Sequence, residues 1–377
     1  MRILIDTKLL GKGGTTGVSG YTREMVEALL TYSEHEYRLF YNGLHMNPLP
    51  QEWLSNPRIS VLNWHIPNKI FHLTTRLFNW PSLDSQKDID LIFSPHFHLL
   101  ASKKIPRIIT FHDLSFIHYP QFFSPKQRLW HWWQQYAKQA RAASHIIAVS
   151  KFTKSDLVRI LQIPQEKITV MYSGVGTEFK KIPPTDPKLA HYKLMNQLTK
   201  PFFLFLGTLE PRKNIPTLIK AFSLLKNNPH FKEYQLVIAG RPGYKASGIY
   251  KTARESPARG DIRFLPNVSD LERPLLYNCA RVFVFPSWFE GFGFPPLEAQ
   301  ACAVPVIAAD RTSVPEILGS CALYANPWKP TEFAEQLMKL ETDSALRQRL
   351  ISAGITNAKR FTWEKAARQM TEIFQSS

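Results

Sequence analysis

Two carboxylates, two adjacent cations and one histidine carry most of the chemistry open to this sequence. Glu290 and Glu298 stand eight positions apart in "SWFEGFGFPPLEA", residues 287–299. A carboxylate pair is the usual equipment for cleaving a glycosidic bond. Carboxylates also hold the hydroxyls of a sugar or a ribose, because an ionised carboxylate is an acceptor only. Gly291 and Gly293 bring main-chain N–H groups into the same loop, so main chain and Glu290 together can grip a sugar. Glu298 follows Pro295 and Pro296, which suit the first turn of a helix. There it can accept from ribose hydroxyls, or simply be stabilised by the helix dipole, by about 0.3–1 kcal/mol.

Arg212 and Lys213, in "FLFLGTLEPRKNIPTLIKAF", fall just before a helical pattern. Two cations at a helix start oppose the macrodipole, which favours anions at that end. A bound diphosphate would resolve the conflict, with Arg212 making a bidentate contact and Lys213 acting as a point charge; a solvated surface pair is the alternative. His112 and Asp113 close the run "RIITFHD", a position that suits a catalyst or a hydrogen-bonded structural residue. In "GKGGTTGVSGYTREMVEALL", small residues from Gly11 to Gly20 precede a helix with Met25, Val26, Leu29 and Leu30 facing inward. Such a loop lets N–H groups approach a phosphate or is merely flexible, and it matches neither GxxxxGK[ST] nor GxGxxG. Asp88 and Asp90 form a lone DxD leading into "LIFSP" with no third ligand beside them, so no metal site is expected.

Groups of this kind work at the carboxyl ends of parallel strands, and the chain supplies those strands. "RILID", "LIFSP", "RIITFHD" and "HIIAVS" precede residue 150; "FFLFLG", "QLVIAG", "VFVFPS" and "VPVIAA" follow residue 200. Continuous apolar runs separated by helix-length segments indicate parallel sheets covered on both faces. At 377 residues and 44% hydrophobic, the chain is long enough for two such cores. We therefore expect two domains, residues 1–180 and 200–355, joined by the Pro- and Lys-rich stretch 181–199. The closing segment, 356–377, contains "FTWEKAARQMTEIFQ", with Trp363, Ala367, Met370 and Phe374 at helical spacing. It is expected to pack toward the amino-terminal domain. A helix over "KQRLWHWWQQYAKQARAA" would place Leu129, Trp133, Tyr136 and Ala140 on one face.

The net charge of +17 is diffuse: 22 basic against 13 acidic residues give +9 over residues 1–181, and 25 against 17 give +8 over the rest. That excess suits anionic partners such as a nucleotide sugar, an acidic membrane surface or nucleic acid, and does not choose among them. Nucleic acid is not expected, since no recognition module is present. The amino terminus lacks a signal-peptide pattern, and no apolar run is long enough to span a bilayer. Cys279, Cys302 and Cys321 show no metal or disulfide spacing. A reduced, cytoplasmic setting follows. Aromatics mixed with cations in "KIFHLTTRLFNW" and "KQRLWHWW" point either to core packing or to contact with the inner face of a membrane.

From "GTLEPRKN" through "FLPNVSDLERPLLYNCARVFVFPSWFEGFGFPPLEAQACAVPVIAADRTSVPEI", the residues resemble retaining glycosyltransferases of family 4. The E-x7-E spacing around "GFGFP" is a specific signature of that family, and "HIIAVSKFTKSDL" and "FTWEKAA" are similar to it too. The resemblance implies an α/β, GT-B fold: two Rossmann-like, doubly wound domains facing across a cleft. It implies that Glu290 contacts the donor sugar, Glu298 holds the ribose, and Arg212 and Lys213 bind the diphosphate together with main chain at Gly17 and Ser19. His112 would lie beside the transferred sugar, and main chain around Phe292, Gly293 and Phe294 would fix its hydroxyls. The family works without a metal or other cofactor. "GTLEPRKN" resembles GDP-mannose-dependent mannosyltransferases of bacterial surface-polysaccharide assembly, acting on a glycan or lipid-linked acceptor. Two departures stand out: Ser19 and Gly20 in "GVSGY" replace a glycine and an arginine, and Thr208 replaces an arginine common in relatives. Alternatives are a UDP-sugar-dependent glucosyl- or N-acetylglucosaminyltransferase, a glycoside hydrolase, and a nucleic-acid-binding protein.

Overall fold

The Val/Ile/Leu/Phe runs form strands buried along nearly their whole length, which requires a covering layer on each face of the sheet. The computed structural model describes residues 1–12, 17–44 and 49–376 and divides into two units. The first comprises Met1–His118, Pro125–Gly174 and Thr362–Ser377; the second comprises Tyr119–Ser124 and Val175–Phe361.

The first unit is built on seven parallel strands: β1 (Arg2–Asp6), β2 (Glu36–Tyr41), β3 (Ile59–Asn63), β4 (Leu91–Ser94), β5 (Arg107–Phe111), β6 (His145–Ala148) and β7 (Ile168–Val170). Their order is β3-β2-β1-β4-β5-β6-β7. The second has six, also parallel: β8 (Phe202–Leu206), β9 (Gln235–Ala239), β10 (Ile262–Leu265), β11 (Val282–Phe285), β12 (Val306–Ala309) and β13 (Leu323–Ala325), in the order β10-β9-β8-β11-β12-β13. Both sheets are doubly wound. The order reverses between β1 and β4 in one and between β8 and β11 in the other, so the loops after these strands diverge and leave room for a ligand.

Three expectations change on contact with the structure. Residues 181–199 belong to the second unit and contain the helix Pro187–Met195, which packs on the helix Arg273–Cys279. The prolines read as linker punctuation include a helix start: Pro187 occupies the first turn, and Asp186 caps it by accepting from Lys188 N–H at 2.8 Å. The tryptophan-rich segment is two helices, Pro125–Trp133 and Tyr136–Ala142, because Gln135 is left-handed (φ 51°) and Gln134 Oε1 turns away to accept from Leu99 N–H at 2.8 Å. Leu129 is consequently exposed rather than aligned with Tyr136. The amino-terminal helix, Gly17–Tyr32, begins inside the glycine-rich stretch rather than after it; residues 13–16 of that stretch lie outside the described residues.

The closing helix, Trp363–Gln375, buries Ala367, Met370 and Phe374 and packs on Gly17–Tyr32 within the first unit. The chain passes close beneath its start: a Cβ on Gly174 would sit 2.2 Å from the main-chain nitrogen of Trp363, so only glycine fits.

Candidate active site

After β8 the chain passes Gly207 and enters the 3-10 turn Pro211–Lys213, then left-handed Asn214 (φ 52°), then the helix Ile215–Leu225. This turn is fastened to the loops after β11 and β13. Asn214 Nδ2 donates to the carbonyls of Pro286 (3.1 Å) and Pro327 (2.8 Å), and Trp288 N–H donates to Arg212 O at 2.8 Å. The neighbouring β9 end comes equally close, since a Cβ on Gly240 would lie 2.0 Å from Gly207 O.

Fastening these loops brings Arg212, Lys213 and Glu290 together. Lys213 Nζ lies 2.7 Å from Glu290 Oε1, and Arg212 Nη1 lies 2.9 Å from Oε2. Arg212 also donates to Phe289 O at 2.7 Å and pairs with Glu210 Oε1 at 2.9 Å. Lys213 stands 5.0 Å above the Phe285 ring. Burial pushes the Glu290 carboxyl up, but Arg212 and Lys213 together outweigh it and hold the group below the ordinary glutamate value. Burial lowers Lys213, against the opposing pull of Glu290.

The conflict expected between two cations and a helix start is thus met inside the chain: two carboxylates, Glu290 and Glu210, answer two cations. Glu290 was foreseen as a sugar contact and Glu210 was not singled out. Glu210 is a local neighbour, two residues before Arg212, whereas the closeness of Glu290 to Arg212 follows from the β8–β11 neighbour relation, which no local pattern encodes.

Glu290 is also held by its main chain. Its N–H donates to Thr312 Oγ1 at 3.1 Å, and its carbonyl accepts from Ser313 Oγ at 2.8 Å. Ser313 Oγ lies 3.2 Å from Phe292 O as well. Gly293, at φ 105° and ψ 59°, then turns the chain into the helix Phe294–Ala301, with Pro295 and Pro296 in its first turn.

Glu298 sits within that helix, buried, and its carboxylate is occupied. Arg273 Nη2 lies 2.5 Å from both of its oxygens, and Tyr277 OH donates to Oε2 at 2.8 Å. Burial and the Glu298 charge both drive the Tyr277 hydroxyl far above its ordinary value, so it stays a donor. Arg273 and Tyr277 escaped sequence reasoning, although their i, i+4 spacing in "DLERPLLYNC" is a legible one-face signal.

In the first unit, His112 follows β5. Its Nε2 donates to Pro95 O at 2.8 Å, and its ring packs edge-on to Tyr21 at 4.7 Å. Burial lowers its pKa, so the ring is neutral near pH 7. Asp113 caps the following turn, accepting from Ser115 N–H (2.9 Å) and Oγ (2.6 Å), which accounts for it structurally. Gly17 and Ser19 lie in the first turn of their helix, with Ser19 buried. Asp88 and Asp90 are tied to the interior strands β1 and β2: Arg2 and Arg38 bridge to Asp88 at 2.8 and 2.7 Å, and Arg2 N–H donates to Asp90 at 2.7 Å. Among the described residues no group of three His, Cys, Asp or Glu side chains is arranged to hold a metal ion.

A polar cluster at the ends of β1 and β4 was not foreseen. Asp6 lies 3.5 Å from Lys8 Nζ and 3.8 Å from His98 Nδ1. Arg107 is buried alongside, donating to Ser94 Oγ, Gln139 Oε1 and His98 O, its pKa pushed down to about 10 by burial.

Residues 190–357 match the family model for glycosyl transferases group 1, and residues 15–179 match that for glycosyltransferase family 4. O-antigen chain mannosyltransferase B of Escherichia coli is 30% identical over 389 residues, spanning 100% of both chains. The chain belongs to glycosyltransferase family 4. Among solved structures, sucrose-phosphate synthase from Thermosynechococcus elongatus superposes with a TM-score of 0.77 at 20% identity, covering 100% of this chain and 98% of that one. HepE of Anabaena, solved with UDP and glucose, gives 0.73 at 17% identity with full coverage of both chains. These likenesses are of fold, and they make this family 4 enzyme a GT-B protein with two Rossmann-like α/β units.

Proposed function

We propose that this glycosyltransferase moves a mannosyl residue from GDP-mannose to a glycan or lipid-linked acceptor in surface-polysaccharide or lipopolysaccharide assembly, with retention of configuration and without a metal. The observation that carries the reading is the Arg212–Glu290–Lys213 cluster at the switch point between β8 and β11. Mannose is favoured by the likeness of the whole chain to an O-antigen mannosyltransferase.

As the C1–O bond to the diphosphate breaks, negative charge grows on the leaving oxygens and the anomeric carbon becomes oxocarbenium-like. Arg212 and Lys213, already positioned by Glu290, stabilise that charge at no cost of reorganisation, the kind of effect worth several kcal/mol. Main chain at Phe292, Gly293 and Phe294 and the ionised Glu290 orient the sugar. Glu298, steadied by Arg273 and Tyr277, retains lone-pair capacity for ribose hydroxyls, since three of roughly four acceptor positions are used. In the first unit, His112 acts as a neutral hydrogen-bonding group. The acceptor hydroxyl forms the new bond on the same face and passes its proton to the departing phosphate.

The experiment is a thermal-shift panel of GDP-mannose, GDP, UDP-glucose and UDP-N-acetylglucosamine with and without EDTA, followed by NMR of the product anomer. Stabilisation by the GDP compounds in EDTA and an α-mannosyl product are expected. A response to UDP compounds alone overturns the donor assignment. A covalent sugar adduct trapped on Glu290 overturns the same-face mechanism.

A further inference from the structure

The helix Asn68–Phe78 buries Phe71 and Thr75 but turns Ile70, Leu73 and Leu77 outward as one stripe, and Phe78 beyond them is 72% exposed. Nearby, the helix Pro125–Trp133 exposes Leu129 and Trp132, the latter 60% exposed. Arg76 joins the two elements. Its guanidinium stacks on the Trp132 and Trp133 rings at 4.0 and 4.4 Å and donates to Trp133 O at 2.9 Å. Large exposed apolar residues concentrated in this way mark an interaction surface rather than the usual scatter.

The charges around the patch select its partner. Residues 68–80 and 125–133 contain Lys69, Arg76, Lys126 and Arg128 and no Asp or Glu. Apolar stripes flanked only by cations, with indoles at the margin, fit the boundary between lipid headgroups and acyl chains. Among the described residues no helix is long and apolar enough to cross a membrane, so contact through this face would be lateral. We propose that the surface formed by Ile70–Phe78 and Leu129–Trp132 docks the protein on an anionic lipid bilayer. The stripe enters the interface, and Lys69, Lys126 and Arg128 engage lipid charge. Arg76 is a positioning residue that holds the Trp132 indole outward. The inference rests on the first unit's surface alone and not on the donor reading.

The test is flotation of the full chain with phosphatidylcholine vesicles, with and without phosphatidylglycerol, in the absence of nucleotide sugar. Partitioning should be about tenfold or more stronger on the anionic vesicles and should weaken as salt rises. Leu73→Glu/Phe78→Glu should reduce it about tenfold. Lys69→Glu/Lys126→Glu, at exposed positions that fold without strain, should abolish the lipid-charge preference. Thermal midpoints of both variants should match the parent. Equal partitioning of parent and variants overturns the proposal. So does self-association in sedimentation velocity that Leu73→Glu/Phe78→Glu abolishes while lipid binding is absent, since the face would then meet a second copy.

Discussion

Lys213 Nζ and Glu290 Oε1 are 2.7 Å apart with side chains only 10% and 9% exposed, so the cation after β8 is neutralised by a carboxylate after β11. Two functions are bound together in that pair. Glu290 restrains the cations, and it lowers their appetite for another anion.

Opposite effects on binding and turnover follow when its charge is removed. In Glu290→Gln the amide keeps the shape while Arg212 and Lys213 lose their counter-charge, so GDP should bind about tenfold more tightly, roughly 1.4 kcal/mol. Turnover should fall about 10²–10³-fold, because the sugar is no longer oriented and the cations are less ordered. Calorimetry with GDP and steady-state transfer measure the two. Weaker GDP binding with unchanged turnover would falsify the assignment. Glu290→Ala, which strands two largely buried cations, should also destabilise the second unit by about 3–5 kcal/mol.

How much of this was legible in sequence differs by scale. The central strands β1, β4, β5, β6, β8, β9, β11 and β12 are continuous apolar runs and announce themselves. β3 and β10 do not, because an edge strand shows one side to solvent and carries residues such as Arg263 or Asn63. Glu290, Arg212 and Lys213 were recognisable as types at strand ends, yet their mutual pairing depends on which strands are neighbours. Glu298 stood out in sequence as a candidate carboxylate, while its partners Arg273 and Tyr277 come from another helix. Asp88 and Asp90 were not expected to hold a metal, but the partners they do have, Arg2 and Arg38, are distant in sequence and no local pattern names them.

Tyr277 tests the role of Glu298 without touching its charge. Tyr277→Phe removes one hydrogen bond to a buried carboxylate, a loss of about 1.5–3 kcal/mol in stability. If Glu298 holds the ribose, the donor KM should rise while kcat stays near the parent value, since the bond persists in the ground and transition states alike. A fall in kcat with unchanged KM would place Tyr277 elsewhere in the mechanism.

Acid should loosen the two units in sequence. Burial lowers the pKa values of His96, His98 and His112 below 6.5 and that of His131 to about 4. The unfolded chain therefore takes up protons first, and the stability these neutral rings provide is lost as pH falls from about 6.5 toward the folded values. Glu290 behaves differently: its depressed pKa gives stability that is present above 4.5 and lost only below it. Hydrogen exchange, corrected for intrinsic rates, should show β4–β6 opening between pH 7 and 5 while β8 and β11 remain protected. Simultaneous loss of protection in both units over that range would contradict this order.

Gly240 offers a sharp test of how the loops after β8 and β9 are fastened. Its φ of 133° belongs to a region L-residues rarely adopt, and a Cβ there would overlap Gly207 O at 2.0 Å. Backbone strain alone costs about 1–3 kcal/mol; relieving the overlap moves Gly207, whose carbonyl lies on the path leading to Arg212. Gly240→Ala should lower the unfolding midpoint of the second unit and weaken GDP binding together. Gly260→Ala, where nothing lies within 4 Å of the added methyl, should change neither. Equal behaviour of the two variants would mean that the approach of the β8 and β9 loops does not position the cations.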